Sequence, residues 1–443
     1  MPLQLMPFRG WRFHLKVVPD LSEVMSPPYD VIDAAERQAY LQQSPYNMVH
    51  LILGAEYAED TETNNRFTRA AALLQRWRRD GVLVCESSPA LYVYQQDFTL
   101  GGTSLTRTGI FGLARLEDYR NGVIFPHEQT LAGPKADLLR LWLACHANLS
   151  PIFALYDDPS RRVEALLAPV LAQPPQVATQ WGGMDHRLWV VTDAARIARL
   201  QHALHDKVLV IADGHHRYET ALALRDTLRQ QHGGSQEAAL YDYVLMCFVN
   251  TADPGLVALP THRLVRFAPR RRPEDALDRL RAWARVEEQP RPATATTWQA
   301  WQHHLETQLR TWRGEEESVL ILYSGGDRCF LVAVPAATAR LQVRQAGVSE
   351  AWKQLDVSVL HYALLPALRQ ALAAEDMVID YAKAGSDVLG AVAQGTYDLA
   401  VLMRPTPLGR LMAIAQGGER LPPKSTYFYP KLPCGLVLYC FDS

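Results

Sequence analysis

At residues 208–221 an apolar run passes without a linker into a helical pattern, and few folds accommodate such a junction. Val208-Leu209-Val210-Ile211-Ala212 has the composition of a buried strand, and Asp213-Gly214 turns the chain tightly. His215 to Arg229 then follows as a helix whose first turn carries two histidines and Arg217. A strand that feeds a helix this directly belongs to a layered α/β architecture.

The remainder alternates in the same manner. Strands are expected at 90–96, 151–156, 207–212 and 241–250, with a hairpin arm over 107–116 after Gly101-Gly102. Helices are expected over 65–80, where Phe67, Ala71, Leu74 and Trp77 recur at helical spacing, and over 135–147, with Leu138, Leu141 and Trp142 on one face. Residues 194–205 read as a helix and 231–236 as a loop. Residues 267–273 and the Pro/Thr/Ala-rich 287–297 resemble linkers flanking a helix around 275–285, and Gly325-Gly326-Asp327 marks a hairpin. The expected fold is α/β (α+β) with mixed sheets. It divides into an N-terminal α/β domain over 1–265 and a C-terminal one over 266–443.

Charge and hydropathy remove several classes. Lys and Arg total 45 against 47 Asp and Glu, so nothing in the balance serves a duplex-binding protein, and nucleic acid is an unfavoured partner. No run approaches the ~20 apolar residues of a spanning helix, so no membrane role is expected. Arg9, Arg12, His14 and Lys16 interrupt what a signal peptide would need as an apolar stretch. Six cysteines without a CxxC pair read as free thiols in a reducing compartment, and the expected location is the cytoplasm.

Four segments carry candidate chemistry. At the strand–turn–helix, the helix N-terminus favours an anion and Arg217 offers a planar fork for phosphate oxygens. His215 or His216 can donate to the same oxygens or act as acid or base, and Asp213 can hold a metal ion or orient a histidine. The bland alternative makes Asp213 a helix cap and the rest a solvated turn, at the expense of cations opposing the dipole. The second segment runs from Phe125 to Lys135, with His127 as general base and Glu128 as metal ligand or partner base, or else as an exposed polar loop. The third is Ser26-Pro27-Pro28-Tyr29-Asp30, where Asp30 is a base, a metal ligand or a simple turn residue. The fourth, Lys424-Ser425-Thr426-Tyr427-Phe428-Tyr429-Pro430-Lys431, suits an anionic metabolite or packs its aromatics inward.

Taken together, these segments resemble the bacterial and archaeal family known as domain of unknown function 1015. The likeness lies in Phe8-Arg9-Gly10, Ser26 to Ile32, Ser44-Pro45-Tyr46-Asn47, Pro126-His127-Glu128-x-Thr130-Leu131, Ala147 to Phe153, Ile211 to Ala221, Leu355 to His361 and Lys424 to Lys431. The motif from Asp213 to Ala221 is also similar to the Gly-x-His-Arg helix start of sulfiredoxins, ParB-like domains and free-serine kinases. That second likeness implies a ParB/sulfiredoxin-like nucleotide-binding core, with 33–207 as a large insertion, followed by a second α/β domain. It implies phosphates lined by Gly214, His215, His216 and Arg217, with Asp213 and Glu219 as further nucleotide-binding candidates of the same segment, and it puts Asp30 roughly where the serine kinases have their catalytic acid. No cysteine stands beside Gly214-His215, so sulfiredoxin chemistry is not implied.

The function expected from these residues is phosphoryl transfer from ATP, or with ADP, to a small hydroxyl metabolite such as serine. Catalytic candidates are Asp30, His127, Glu128 and His216, and Mg²⁺ would rest on Asp213 and Glu128. Lys135, Asn148, Ser150, Lys424, Ser425, Thr426, Tyr429 and Lys431 are the candidate substrate and anion contacts. A non-catalytic nucleotide switch and a metabolite phosphohydrolase remain open beside it. The expected partners are a nucleotide and a small substrate, with a homo-oligomer open as well.

Overall fold

The structure is a computed structural model that describes residues 2–129, 133–232, 238–312, 317–383 and 385–442. Thr130 and Leu131 of the family motif, and positions 233–236 of the expected loop, lie outside the described residues. The chain forms two compact units. The first comprises Met1–Pro126, Thr130–Val257 and Pro430–Ser443, and the second His127–Gln129 and Ala258–Tyr429. Residues 258–265, which the sequence division put with the N-terminal domain, therefore lie in the second unit, because they begin a strand of its sheet.

The first unit is built on a mixed sheet of nine strands among the described residues. They are β1 (Leu5–Met6), β2 (Leu91–Leu100), β3 (Thr103–Arg115), β4 (Ile124–Pro126), β5 (Ile152–Tyr156), β6 (Val177–Trp181), β7 (Met184–Val191), β8 (Leu209–Asp213) and β9 (Tyr243–Asn250). Their order is β4-β8-β5-β9-β3-β2-β7-β6, with β1 also on β3. β8 runs parallel to β4 and antiparallel to β5, while β9 runs parallel to β5, so the mixed α/β class expected from the pattern is what forms. β5 and β9 are nearly continuous apolar runs and are buried almost throughout, as strands covered on both faces require.

Three helices frame the chemistry of this unit: α1 (Arg66–Arg79), α2 (Gly133–Cys145) and α3 (His215–Gln231). α1 starts at Asn65, whose side chain accepts from the Phe67 and Thr68 amides, a cap that contributes about 1 kcal/mol. Leu138, Leu141 and Trp142 of α2 are buried, as their spacing predicted, and α2 packs against both α1 and α3. Leu224 and Leu228 anchor α3, each stabilising by roughly 1.5–3 kcal/mol on burial. The C-terminal segment returns to this unit: Ser26 bridges Cys434, Trp11 bridges Leu438, and Tyr439–Cys440 pairs with Ala147–Asn148. Five of the six cysteines are buried and all are free.

The second unit holds an antiparallel sheet of six strands among the described residues: β10 (Thr261–Ala268), β11 (Arg285–Pro290), β12 (Glu317–Tyr323), β13 (Arg328–Pro335), β14 (Asp376–Lys383) and β15 (Leu399–Met403). The order is β11-β13-β12-β15-β10-β14. α4 (Trp298–Thr311) lays Trp301, Leu305 and Leu309 into its core. The expected linker at 287–297 is in part a strand. Composition suggests a loop there, but the backbone from Arg285 to Pro290 pairs with β13 at the sheet edge, where a terminal proline is tolerated. The helix expected over 275–285 is shorter, a 3₁₀ turn at Pro273–Ala276 leading into Leu277–Arg281. Among the described residues no helix is long and apolar enough to cross a membrane.

Candidate functional site

In the first unit the strand–turn–helix forms as the sequence reads. β8 ends at Asp213, Gly214 takes a left-handed conformation with φ of 91°, and α3 begins at His215. Glycine is required here on two counts. The positive φ disfavours any side chain, and an added Cβ would stand 2.8 Å from Arg217 Nε and 2.9 Å from Cζ. The guanidinium of Arg217 thus folds back beneath the turn.

That position explains its bonding. Arg217 is 3% exposed, donates Nη2 to Asp213 Oδ2 at 2.5 Å and donates Nη1 to the Pro151 carbonyl. Lys431 donates Nζ to the other oxygen of Asp213. Burial opposes the charge on Asp213, yet Lys431 and Arg217 outweigh it and hold this carboxyl well below the usual range. Burial likewise works against the charge on Arg217, and Asp213 and then Asp30 raise its pKa. The result is a largely buried knot of one carboxylate between two cations that fixes the turn in place. It directs Arg217 inward, so the fork expected to face phosphate is occupied by a carboxylate and a carbonyl.

Asp30 belongs to the same neighbourhood. It is exposed, in a 3₁₀ turn from Tyr29 to Val31 that Pro28 precedes in extended conformation. Its charge acts on Arg217, on the Cys434 thiol and on Tyr29. Burial and then Asp30 push the Tyr29 phenol up to about 12, and burial pushes the Cys434 thiol to about 12. Beside Tyr29 lies a cavity of about 320 Å³ walled by Leu51, Leu53, Arg66, Phe67, Asp137 and Leu141. His215, His216 and Glu219 are partly exposed on the first turns of α3, and Lys135 of α2 donates Nζ to Glu219 Oε2 at 2.7 Å. Asn148 and Ser150 are buried; Asn148 Oδ1 accepts from the Leu245 amide, which ties it to the sheet. A larger hollow of about 890 Å³ near Asp97, Thr106, Trp181 and Asp185 contains none of the candidate residues.

The other candidates cluster in the second unit. Residues 127–129 and 421 exchange backbone bonds, Leu421 N to His127 O at 2.8 Å and Gln129 N to Leu421 O at 3.1 Å. His127 is 1% exposed, with Nε2 2.7 Å from Thr426 Oγ1 and the ring edge-on to Phe428. Glu128 accepts the Lys424 amide at 2.7 Å and the Ser425 amide at 3.2 Å. Lys424 has a φ of 57°, a left-handed conformation that those two bonds hold. Tyr429 lies 6.4 Å from the Tyr427 ring. So Asp30, Asp213–Arg217, Glu219, Lys135 and Lys431 share one unit, while His127, Glu128 and Lys424–Thr426 share the other.

The two carboxylates expected to hold a metal belong to different units, and each has both oxygens engaged: Asp213 by two cations, Glu128 by two amides. Among the described residues no group of three or more His, Cys, Asp or Glu is arranged to hold a metal ion. The sequence marks Lys431 as a candidate anion contact, whereas the structure shows it completing the Asp213 knot. The separation of 218 residues left no local signal for that pair.

A family model described as protein of unknown function, DUF1015, matches residues 5–358. No curated protein matches the chain. Among solved structures, the chain is similar to a conserved hypothetical protein from Pyrococcus furiosus, at 15% identity and a TM-score of 0.32, over 70% of this chain and 89% of that one. It is also similar to a mutant free serine kinase in complex with AMP, at 13% identity and a TM-score of 0.33, over 71% and 89%. SbnI with a C-terminal truncation from Staphylococcus aureus gives 10% identity and a TM-score of 0.31, over 70% and 82%.

Proposed function

The chain belongs to the DUF1015 family, and we propose that this member is a nucleotide-dependent phosphotransferase acting on the hydroxyl of a small metabolite, with free serine as the first acceptor to try. One observation carries the reading: a glycine-turned helix start, fixed by the Asp213–Arg217–Lys431 knot, stands in the same unit as an exposed carboxylate, Asp30, whose charge acts on that knot. Phosphoryl transfer demands little covalent chemistry of the protein and much positioning of charge. A rigid helix N-terminus supplies such positioning for an anion.

In this reading the phosphates lie at the Gly214–His216 end of α3, with His216 donating to them and Lys431 and Lys135 adding positive charge. Arg217 is a positioning residue that acts through Asp213 and the turn. Asp30 takes the proton of the acceptor hydroxyl, and the cavity beside Tyr29 receives the apolar part of a bound molecule; its 320 Å³ lies within the range of small-ligand sites. Mg²⁺, when bound with a nucleotide, supplies charge neutralisation on phosphate oxygens. Asp213, whose oxygens both face cations, does not fit such an ion. In the second unit, Glu128 keeps Lys424 and Ser425 in shape.

Calorimetric titration with ADP and Mg²⁺, paired with a turnover assay on Asp30→Asn, tests the reading. Binding by the wild type, with Asp30→Asn binding equally and turning over poorly, is the expected result. Absence of nucleotide binding in the wild type would overturn the function, whereas normal turnover in the variant would overturn only the base.

A further inference from the structure

A second cavity, of about 400 Å³, lies wholly within the second unit and contains none of the candidate acid–base residues. Its described lining includes three arginines, Arg310, Arg404 and Arg410, and one carboxylate, Asp356. Arg404 is locked in place: Nε donates to Asp356 Oδ2 at 2.8 Å, and Nη2 donates to Asp356 Oδ1 at 2.9 Å and to the Glu317 carbonyl at 2.8 Å. Asp356 also accepts the Val319 amide at 3.2 Å, which ties the pair to β12. Leu355 and Asp356 open the motif from Leu355 to His361 that the sequence singled out, and the proposed reaction gives that motif no part.

The other wall adds to the same charge. Pro407 begins a helix, Leu408–Gln416, with no side-chain cap, and Arg410 stands in its first turn. Both residues line the cavity. The start of a helix favours an anion. Arg310 and Arg410 are exposed, Arg310 donating Nη2 to Thr307 Oγ1 at 3.1 Å, while Arg404 stays rigid. Thr406 adds a hydroxyl, and Trp312, Leu355 and Pro405 add apolar surface. Guanidinium groups around a hydroxyl and an apolar wall match a phosphate group carried on a small organic body.

We propose that this cavity binds a phosphorylated small molecule, separately from the reaction proposed for the first unit. The probe is glycerol 3-phosphate, with inorganic phosphate, succinate and glycerol alongside. The readouts are calorimetry and the Trp312 indole N–H resonance, assigned with Trp312→Phe. Glycerol 3-phosphate is expected to shift that resonance, and Arg310→Glu/Arg410→Glu to weaken binding at this site at least about tenfold, the equivalent of about 1.4 kcal/mol. Both substitutions are on exposed side chains, and unchanged urea midpoints verify that the fold is kept. Lys431→Met, in the other unit, is expected to leave the shift intact, so this proposal and the proposed function fail separately. No shift at millimolar probe, or a shift that survives the double charge reversal, overturns the site. Succinate binding as tightly as the phosphate ester overturns the ligand class.

Discussion

Replacing Arg217 with methionine separates two jobs that the residue can have. The structure buries its guanidinium and gives it Asp213 and the Pro151 carbonyl as partners. Methionine keeps most of the volume but removes both bonds. Breaking one side of a buried ion pair costs about 3–5 kcal/mol when the remaining charge is uncompensated. Here Lys431 still neutralises Asp213, which lowers the expectation to about 2–4 kcal/mol, with the orphaned carbonyl contributing part of it. Two units in one chain make a single melting temperature a poor measure. Urea unfolding followed by hydrogen exchange at β8 and α3 reports on the right unit. Asp213→Asn combined with Arg217→Met should cost clearly less than the sum of the two, because the pair is one unit of charge. A loss of under about 0.5 kcal/mol, the range of surface substitutions, together with abolished nucleotide binding, would refute the positioning role and make Arg217 a direct phosphate ligand.

Gly214→Ala combines a left-handed φ with a Cβ 2.8 Å from Arg217 Nε, so a loss of about 2–4 kcal/mol is expected in the same assay, and a neutral result would contradict the turn geometry. Asp213 has a folded pKa below its unfolded value of about 3.9. Its stabilisation is therefore fully present above that value and lost as pH falls below it; acid titration of stability should show a limb that Asp213→Asn flattens, and an unchanged limb would count against the pairing. Glu128→Gln weakens two charge-assisted amide bonds and should destabilise the Lys424–Ser425 turn by about 1 kcal/mol, read as faster exchange at those amides. Asp30→Asn should lower turnover at least about a hundredfold, as loss of a general base does, with ADP affinity unchanged.

What was legible in the sequence was local. The junction at Asp213-Gly214 declares itself because an apolar run, a turn dipeptide and a helical pattern lie within a few residues of each other. α2 was readable for the same reason, its buried face being written at helical spacing. The linker reading of 287–297 failed because β11 owes its existence to β13, which no feature of its own composition reveals. The inward turn of Arg217 was equally hidden. A first-turn arginine after glycine reads as an anion contact, and only the presence of Pro151 and Asp213 around it shows where the guanidinium goes. Likewise the pairing of Glu128 with the amides of Lys424 and Ser425 joins segments 296 and 297 residues apart.

The central claim is phosphoryl transfer, and ³¹P NMR of the purified protein with Mg²⁺, ATP or ADP, and a panel of hydroxyl metabolites led by serine tests it most directly. A new phosphomonoester resonance in the wild type, absent with Asp30→Asn, is the predicted result. Orthophosphate released from an added phosphomonoester would reverse the direction to hydrolysis. Nucleotide resonances that broaden while no phosphorus species changes would contradict the claim and leave a nucleotide-binding protein without turnover.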